Sequence, residues 1–239
     1  MAVSVTQAIQ DAGSGRWNAR IAGIIFIAAT AAALGSTPFL PNLTGTDYLL
    51  GVDSGAAQMA VGLVLLLVAA FTSATIAVAM YPVMRRWSTG LALASVVLRA
   101  MEGVFYIMAV VFLMSLLSLS HRYAAAAAPD RQVLQAIGDA LRGAREHAGL
   151  AGVFCFCLGA LAYYGLFFWS RLIPRWLSGF GIVAILMMFT ACFLALVSDS
   201  PITGYVFLLF PILVQEMVLA VWLIVKGFDM SSLPPEVTA

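Results

Sequence analysis

The stretch GLALASVVLRAMEGVFYIMAVVFLMSLLSL, residues 90–119, decides the fold. Its thirty residues carry only two charged side chains, Arg99 and Glu102. A bilayer core about 30 Å thick needs about 20 apolar residues of helix to cross it. The run is continuous rather than alternating, so it does not read as a barrel strand. A segment surrounded by lipid tails must satisfy its own backbone hydrogen bonds, and a helix does so.

Five further runs of this kind lie near 20–40, 57–82, 147–170, 176–197 and 204–226. The reading is therefore all-α, a polytopic transmembrane helical bundle of six spans. Composition agrees: the 239 residues are 63% apolar and 10% charged, against about 45–50% and about 25% for a soluble domain. Burial alone cannot absorb that difference, because a soluble domain this long must still cover its surface with polar groups. The net charge of +1 points to no nucleic-acid partner. The first run, preceded by Arg16 and Arg20, has the outline of a secretory signal. It continues through Pro38 to Leu40, enough to cross, and is expected to be an uncleaved span. Residues 1–228 are expected to form a single transmembrane domain, followed by a disordered tail over 229–239.

Seven bases (Arg16, Arg20, Arg85, Arg86, Arg171, Arg175 and Lys226) fall on one side of the predicted membrane, and four (Arg122, Arg131, Arg142 and Arg145) on the other. This asymmetry predicts both termini in the cytoplasm. Trp17, Trp87, Trp169, Trp176 and Trp222 mark the same inner boundary. The short inner loops 85–89 and 170–175 make spans 2/3 and 4/5 antiparallel neighbours. Of the outer loops, residues 41–56 read as irregular. In the other, Pro129 and Asp130 form a helix start. Val133, Leu134, Ile137 and Leu141 then share one face, and Gln135, Asp139, Arg142 and Glu146 another. This predicts a short amphipathic helix over 129–146, between spans 3 and 4. No internal repeat of the kind many transporters show is visible.

Arg99 and Glu102 carry the strongest functional signal. They lie near mid-depth of span 3 by helical rise, where an ionised group costs several kcal/mol and needs a partner or water. Their i,i+3 spacing puts them on one face, which Ser95 and Tyr106 extend. Glu216, beside Gln215, reaches a similar depth in span 6, and Tyr205 lies three turns earlier on its face. Arg99, Glu102 and Glu216 form one cluster if the two spans pack together. Its formal charge of −1 leaves room for a proton on one carboxyl. Two readings stand: a structural clamp in which Arg99 fixes helix register, and a polar pocket for a proton, a cation or a small polar ligand.

A second candidate lies on the outer face, where His147, Glu146 and His121 sit at similar level. Two neutral histidines make an incomplete metal site, so no metal or cofactor is implied. Cys155 and Cys157 are two apart on a helix and point to nearly opposite faces. They read as packing residues; Tyr163 and Tyr164 either pack or contact the polar cluster, packing being the better reading. Gly159, Gly165, Gly179 and Gly181 are expected to permit close helix approach. The chain has no Gly-rich phosphate loop, no His-Glu-x-x-His and no Gly-x-Ser-x-Gly.

Several short motifs occur in order: Ala19-Arg20-Ile21-Ala22-Gly23, Leu98-Arg99-Ala100-Met101-Glu102, His147, Ser170-Arg171-Leu172-Ile173-Pro174-Arg175-Trp176-Leu177, and Glu216 followed by Trp222-Leu223-Ile224-Val225-Lys226-Gly227. Together they resemble the bacterial membrane proteins grouped as domain of unknown function 4386, over about Arg16 to Phe228. The resemblance implies a six-helix bundle in a bacterial plasma (inner) membrane, and it implies no activity. The amphipathic outer segment and the Ala124–Ala128 run lie outside that resemblance.

The expected function is that of a multi-pass, non-enzymatic membrane protein with a buried polar cluster. Its expected partners are the lipid bilayer and a small-molecule or lipidic ligand, or a protein it serves as partner or sensor subunit. The alternatives are a proton-coupled carrier using Glu102 and Glu216, and an intramembrane enzyme acting on lipid or quinone. The enzyme reading lacks a nucleophile–base pair.

Overall fold

A computed structural model describes residues 5–45 and 47–232. The described residues form seven α-helices and no strand: α1 (Val5–Ser36), α2 (Tyr48–Ser54), α3 (Ala56–Met84), α4 (Thr89–Ala125), α5 (Ala128–Ser170), α6 (Arg175–Ser198) and α7 (Val206–Val225). Six helical stretches are long and apolar enough to cross a membrane: Gly13–Phe39, Ala56–Met84, Thr89–Ala125, Ala128–Ser170, Arg175–Ser198 and Ile202–Val225.

Three expectations need correction. The amphipathic segment 129–146 is helical, but it is not a separate element. It runs without a break into the fourth span, making α5 a single helix of 43 residues. The change at 146/147 is one of composition only, and no proline or capping residue stops the helix there. The outer loop 41–56 is not wholly irregular, since it contains α2. In the expected tail, Asp229 donates its N–H to the Leu172 carbonyl at 2.8 Å, and Met230–Ser232 form a 3₁₀ turn. Residues 233–239 of that tail lie outside the described residues.

The helix ends have local causes. Arg171 takes a left-handed conformation (φ 59°) that closes α5, and Pro174 stands at the start of α6. That end is intrinsic to the chain, because proline lacks the N–H a continuing helix requires.

The helices divide between two compact units. The first contains the described residues through Ala28, Thr72–Glu102, and the described residues from Val153 onward. Here α1 and α7 pack so closely that a Cβ on Gly23 would lie 2.6 Å from the Ala220 carbonyl oxygen and 2.7 Å from Ile224. Trp176 of α6 meets Trp222 of α7 edge-on, with ring centroids 6.4 Å apart. The second unit contains Ala29–Phe71 and Gly103–Gly152. Its core gathers Tyr48, Leu49 and Val52 of α2 with Met59 and Leu63 of α3 and Val110, Leu113 and Leu116 of α4. Leu134 and Leu141, from the apolar face of the amphipathic segment, pack against this core. That packing covers half of the segment's apolar stripe; Val133 and Ile137 remain exposed.

Of the glycines expected at close approaches, Gly159 and Gly181 sit against neighbouring side chains, whereas a Cβ on Gly165 would meet nothing within 4 Å. Gly23→Ala is therefore expected to cost about 1–3 kcal/mol, since the obstructing atom is backbone and cannot swing aside. Gly165→Ala should leave stability unchanged or raise it, because alanine is the better helix former. Thermal unfolding of both variants in detergent checks this. Equal midpoints would show that α1 and α7 do not approach this closely.

Candidate functional site

The site is built around an ion pair within one helix turn. Arg99 and Glu102 of α4 are 1% and 2% exposed, and Arg99 Nη1 lies 2.9 Å from Glu102 Oε2. Each partner makes a further bond to α3. The Ser73 hydroxyl donates to Glu102 Oε1 at 2.8 Å, and Arg99 Nη2 donates to the Ser73 carbonyl at 3.2 Å. On its other side the guanidinium stands 4.8 Å from the centroid of the Phe156 ring of α5, a favourable cation–π geometry. The aliphatic stem of Arg99 passes Gly159, where a Cβ would come within 3.3 Å of it.

α7 contributes two neighbouring residues with different surroundings. Gln215 is fully buried and held at both ends: its Oε1 accepts from the Tyr164 hydroxyl of α5, and its Nε2 donates to the Leu177 carbonyl of α6 at 3.2 Å. Glu216 lies within Coulombic range of both Arg99 and Glu102. Its Oε1 is buried and has no hydrogen-bond partner, yet the residue as a whole is only partly buried. The Tyr163 hydroxyl is also buried. It neighbours that of Tyr164 without a hydrogen bond of good geometry, and it too lies within Coulombic range of Arg99, Glu102 and Glu216.

The structure thus brings Arg99, Glu102, Gln215 and Glu216 together in the first unit; Ser95 and Tyr205 lie in that unit but bond elsewhere, and Tyr106 lies in the second. Ser95 is buried but donates back to the Ala92 carbonyl of its own helix at 2.8 Å. Tyr205 bonds to the Ser198 hydroxyl at 2.9 Å, at the α6–α7 connection. Tyr106 belongs to the other unit, where its ring packs on Gly152. The spacings that grouped them describe direction around a helix and say nothing of depth or of a residue's own bonds. Ser73 is the member that sequence reading missed, while Tyr163 and Tyr164, read chiefly as packing residues, lie beside the cluster. Ser73 gave one signal, a hydroxyl in the middle of an apolar run.

On the other candidate face, His121 Nδ1 pairs with Asp53 at 2.5 Å, not with His147. Glu146 and His147 are exposed. Among the described residues no group of three or more His, Cys, Asp or Glu side chains could hold a metal ion. Tyr48 of α2 is buried there, and burial first, then the facing Asp139 carboxylate, push its hydroxyl up to about 12. The phenol thus stays neutral wherever the protein is folded near neutral pH, and its burial becomes unfavourable only as pH rises from 10 toward 12.

A buried ion pair deprived of one member leaves an uncompensated charge. Arg99→Met is therefore expected to destabilise by roughly 3–5 kcal/mol, and Arg99→Met with Glu102→Leu to recover most of that loss. Equilibrium unfolding of the wild type, both single variants and the double variant measures the coupling. Simple additivity of the two single effects would mean that the pair does not act as a unit.

Neither a curated protein nor a solved structure matches the chain. A family model does match, over residues 21–227, which takes in every helix that builds the ion-pair cluster. This multi-pass membrane protein belongs to the family described as Domain of unknown function (DUF4386).

Proposed function

We propose that the protein is a non-enzymatic binding protein of the bacterial plasma membrane, with both termini cytoplasmic, and that it engages a small polar or lipidic ligand at Glu216. One observation carries this reading. The ion pair and the amide beside Glu216 are committed, and Glu216 is not. Arg99 and Glu102 neutralise one another, Ser73 completes Glu102, and Gln215 spans two helices. The Glu216 Oε1 atom is left shielded and without a partner, in a residue that as a whole is only partly buried.

A buried polar atom without a partner costs free energy, about 1–3 kcal/mol and more for a charged group. A sealed structural clamp would have every such atom satisfied. An intramembrane carboxyl with an open oxygen suits a ligand that brings a hydrogen-bond donor, such as an ammonium, an amide or a hydroxyl.

A proton-coupled carrier is the second reading, and the same open carboxyl supports it. It assigns the moving proton to Glu216 alone. Glu102, held by two partners and 2% exposed, is not free to exchange.

Dicyclohexylcarbodiimide, which reacts with protonated carboxyls in apolar surroundings, tests the site. Peptide mass mapping of the treated protein in lipid should find the adduct on Glu216 and not on Glu102. An adduct on Glu102, or on neither, would count against the reading. Native mass spectrometry should also show a co-purifying molecule retained by the wild type and lost in Glu216→Gln, at unchanged thermal stability. Identical spectra for the two proteins, or a large loss of stability, would return Glu216 to a structural role.

A further inference from the structure

Three segments of the first unit meet at the turn between α5 and α6, about 15 Å along α7 from Glu216 by helical rise. Just beyond α7, the Asp229 N–H donates to the Leu172 carbonyl within the turn at 2.8 Å. Gly227 faces α1, where a Cβ added to it would stand 3.6 Å from Arg16 Cγ and 3.8 Å from Ala19. A Cβ on Gly15 would collide with Met230. These contacts gather five bases at one end of the unit: Arg16 and Arg20 of α1, Arg171 of the turn, Arg175 of α6 and Lys226 after α7. All five are exposed. Among the described residues none of them is ion-paired. Asp229 is the acidic side chain described at this end, and its carboxylate accepts from the Ser231 N–H at 3.1 Å and from the Ser231 hydroxyl at 2.6 Å.

Aromatic rings stand beside the bases. Trp17 follows Arg16, Trp169 lies two residues before Arg171, and Trp176 follows Arg175. Their exposures are 63%, 76% and 59%. Arg175 lays its guanidinium 5.5 Å over the ring of Phe168. Stacking occupies the face of the guanidinium and leaves its in-plane N–H donors for an acceptor. A soluble anion would need the bases alone. An exposed indole beside them suits a ligand with an anionic head and an apolar body, because indole has an apolar body and an N–H tip. We propose that this end of the protein binds the phosphate of anionic phospholipids in preference to zwitterionic ones, with Arg171 and Arg175 as its principal contacts. A zwitterionic headgroup brings an ammonium that the same bases repel, and an anionic headgroup does not. The attraction fades within a Debye length, so it selects the lipid in direct contact with these residues. The site is separate from Glu216 and needs no ligand there.

Tryptophan fluorescence of the full chain reads this site. Four of its five tryptophans, Trp17, Trp169, Trp176 and Trp222, lie in the segments that meet here. The protein is reconstituted in phosphatidylcholine vesicles holding the same small fraction of either brominated phosphatidylglycerol or brominated phosphatidylcholine, with bromine on the same carbons. Bromine quenches indole on contact. The anionic lipid is expected to quench more strongly, and the preference should fall about fivefold for each engaged base removed. Arg171→Gln and Arg175→Gln should each lower it, and Arg175→Lys should keep most of it. Arg122→Gln, which removes an exposed base of the second unit, should leave it unchanged. Equal quenching of the wild type by the two lipids overturns the proposal, and this comparison stands even where a variant fails to fold. A preference that survives both glutamine substitutions also overturns it, as does an equal fall in Arg122→Gln, which would make net charge the cause. Inorganic phosphate should relieve the quenching no more than chloride of the same ionic strength. Greater relief by phosphate would show a site for a free anion, and the assignment to lipid would fall.

Discussion

A charge pair in the middle of a membrane-spanning helix is the constraint that the rest of this structure accommodates. Arg99 and Glu102 sit one turn apart on α4, so each arrives with its counter-ion already attached. Removing two ions from water still costs several kcal/mol apiece, and attraction offsets this only when the remaining donors and acceptors are satisfied. α3 supplies both missing bonds from a single residue, Ser73, through its hydroxyl and its carbonyl. A shift of α3 by one residue along α4 would lose both. The pair therefore fixes register between two helices whose apolar surfaces offer little directional preference of their own.

The adjacent residues Gln215 and Glu216 show how one helix separates holding from exchange. Gln215 has a donor and an acceptor, and the structure uses each on a different helix. An amide can do this without carrying charge, which makes it an inexpensive strut at this depth. Glu216 offers only acceptors when ionised. Arg99 is paired with Glu102 and acts on Glu216 only at Coulombic range. That asymmetry, more than the presence of an intramembrane carboxylate, is what points to a ligand.

Much of the architecture is legible in the sequence. The six spans follow from run length, because a bilayer imposes a minimum number of apolar residues. The pairing of Arg99 with Glu102 follows from i,i+3 geometry, which is local. The misread features failed for one shared reason. Tyr205 and Ser95 lie on plausible faces, but one bonds at the α6–α7 connection and the other to its own backbone. The boundary drawn at 146/147 mistook a change of solvent for an end of helix; the backbone of α5 continues because hydrogen bonding along it is indifferent to what surrounds it.

By itself the sequence determined that this is a membrane protein of six spans, that α4 carries a self-compensating ion pair, and that Glu216 lies deep in the last helix. These depend on composition and on the fixed geometry of a single helix. Tertiary structure alone decided that Ser73 completes Glu102, and that Gln215 has partners on two helices while Glu216 Oε1 has none. Those facts depend on which faces of different helices come together and at what depth, and nothing in the spacing along one helix encodes them.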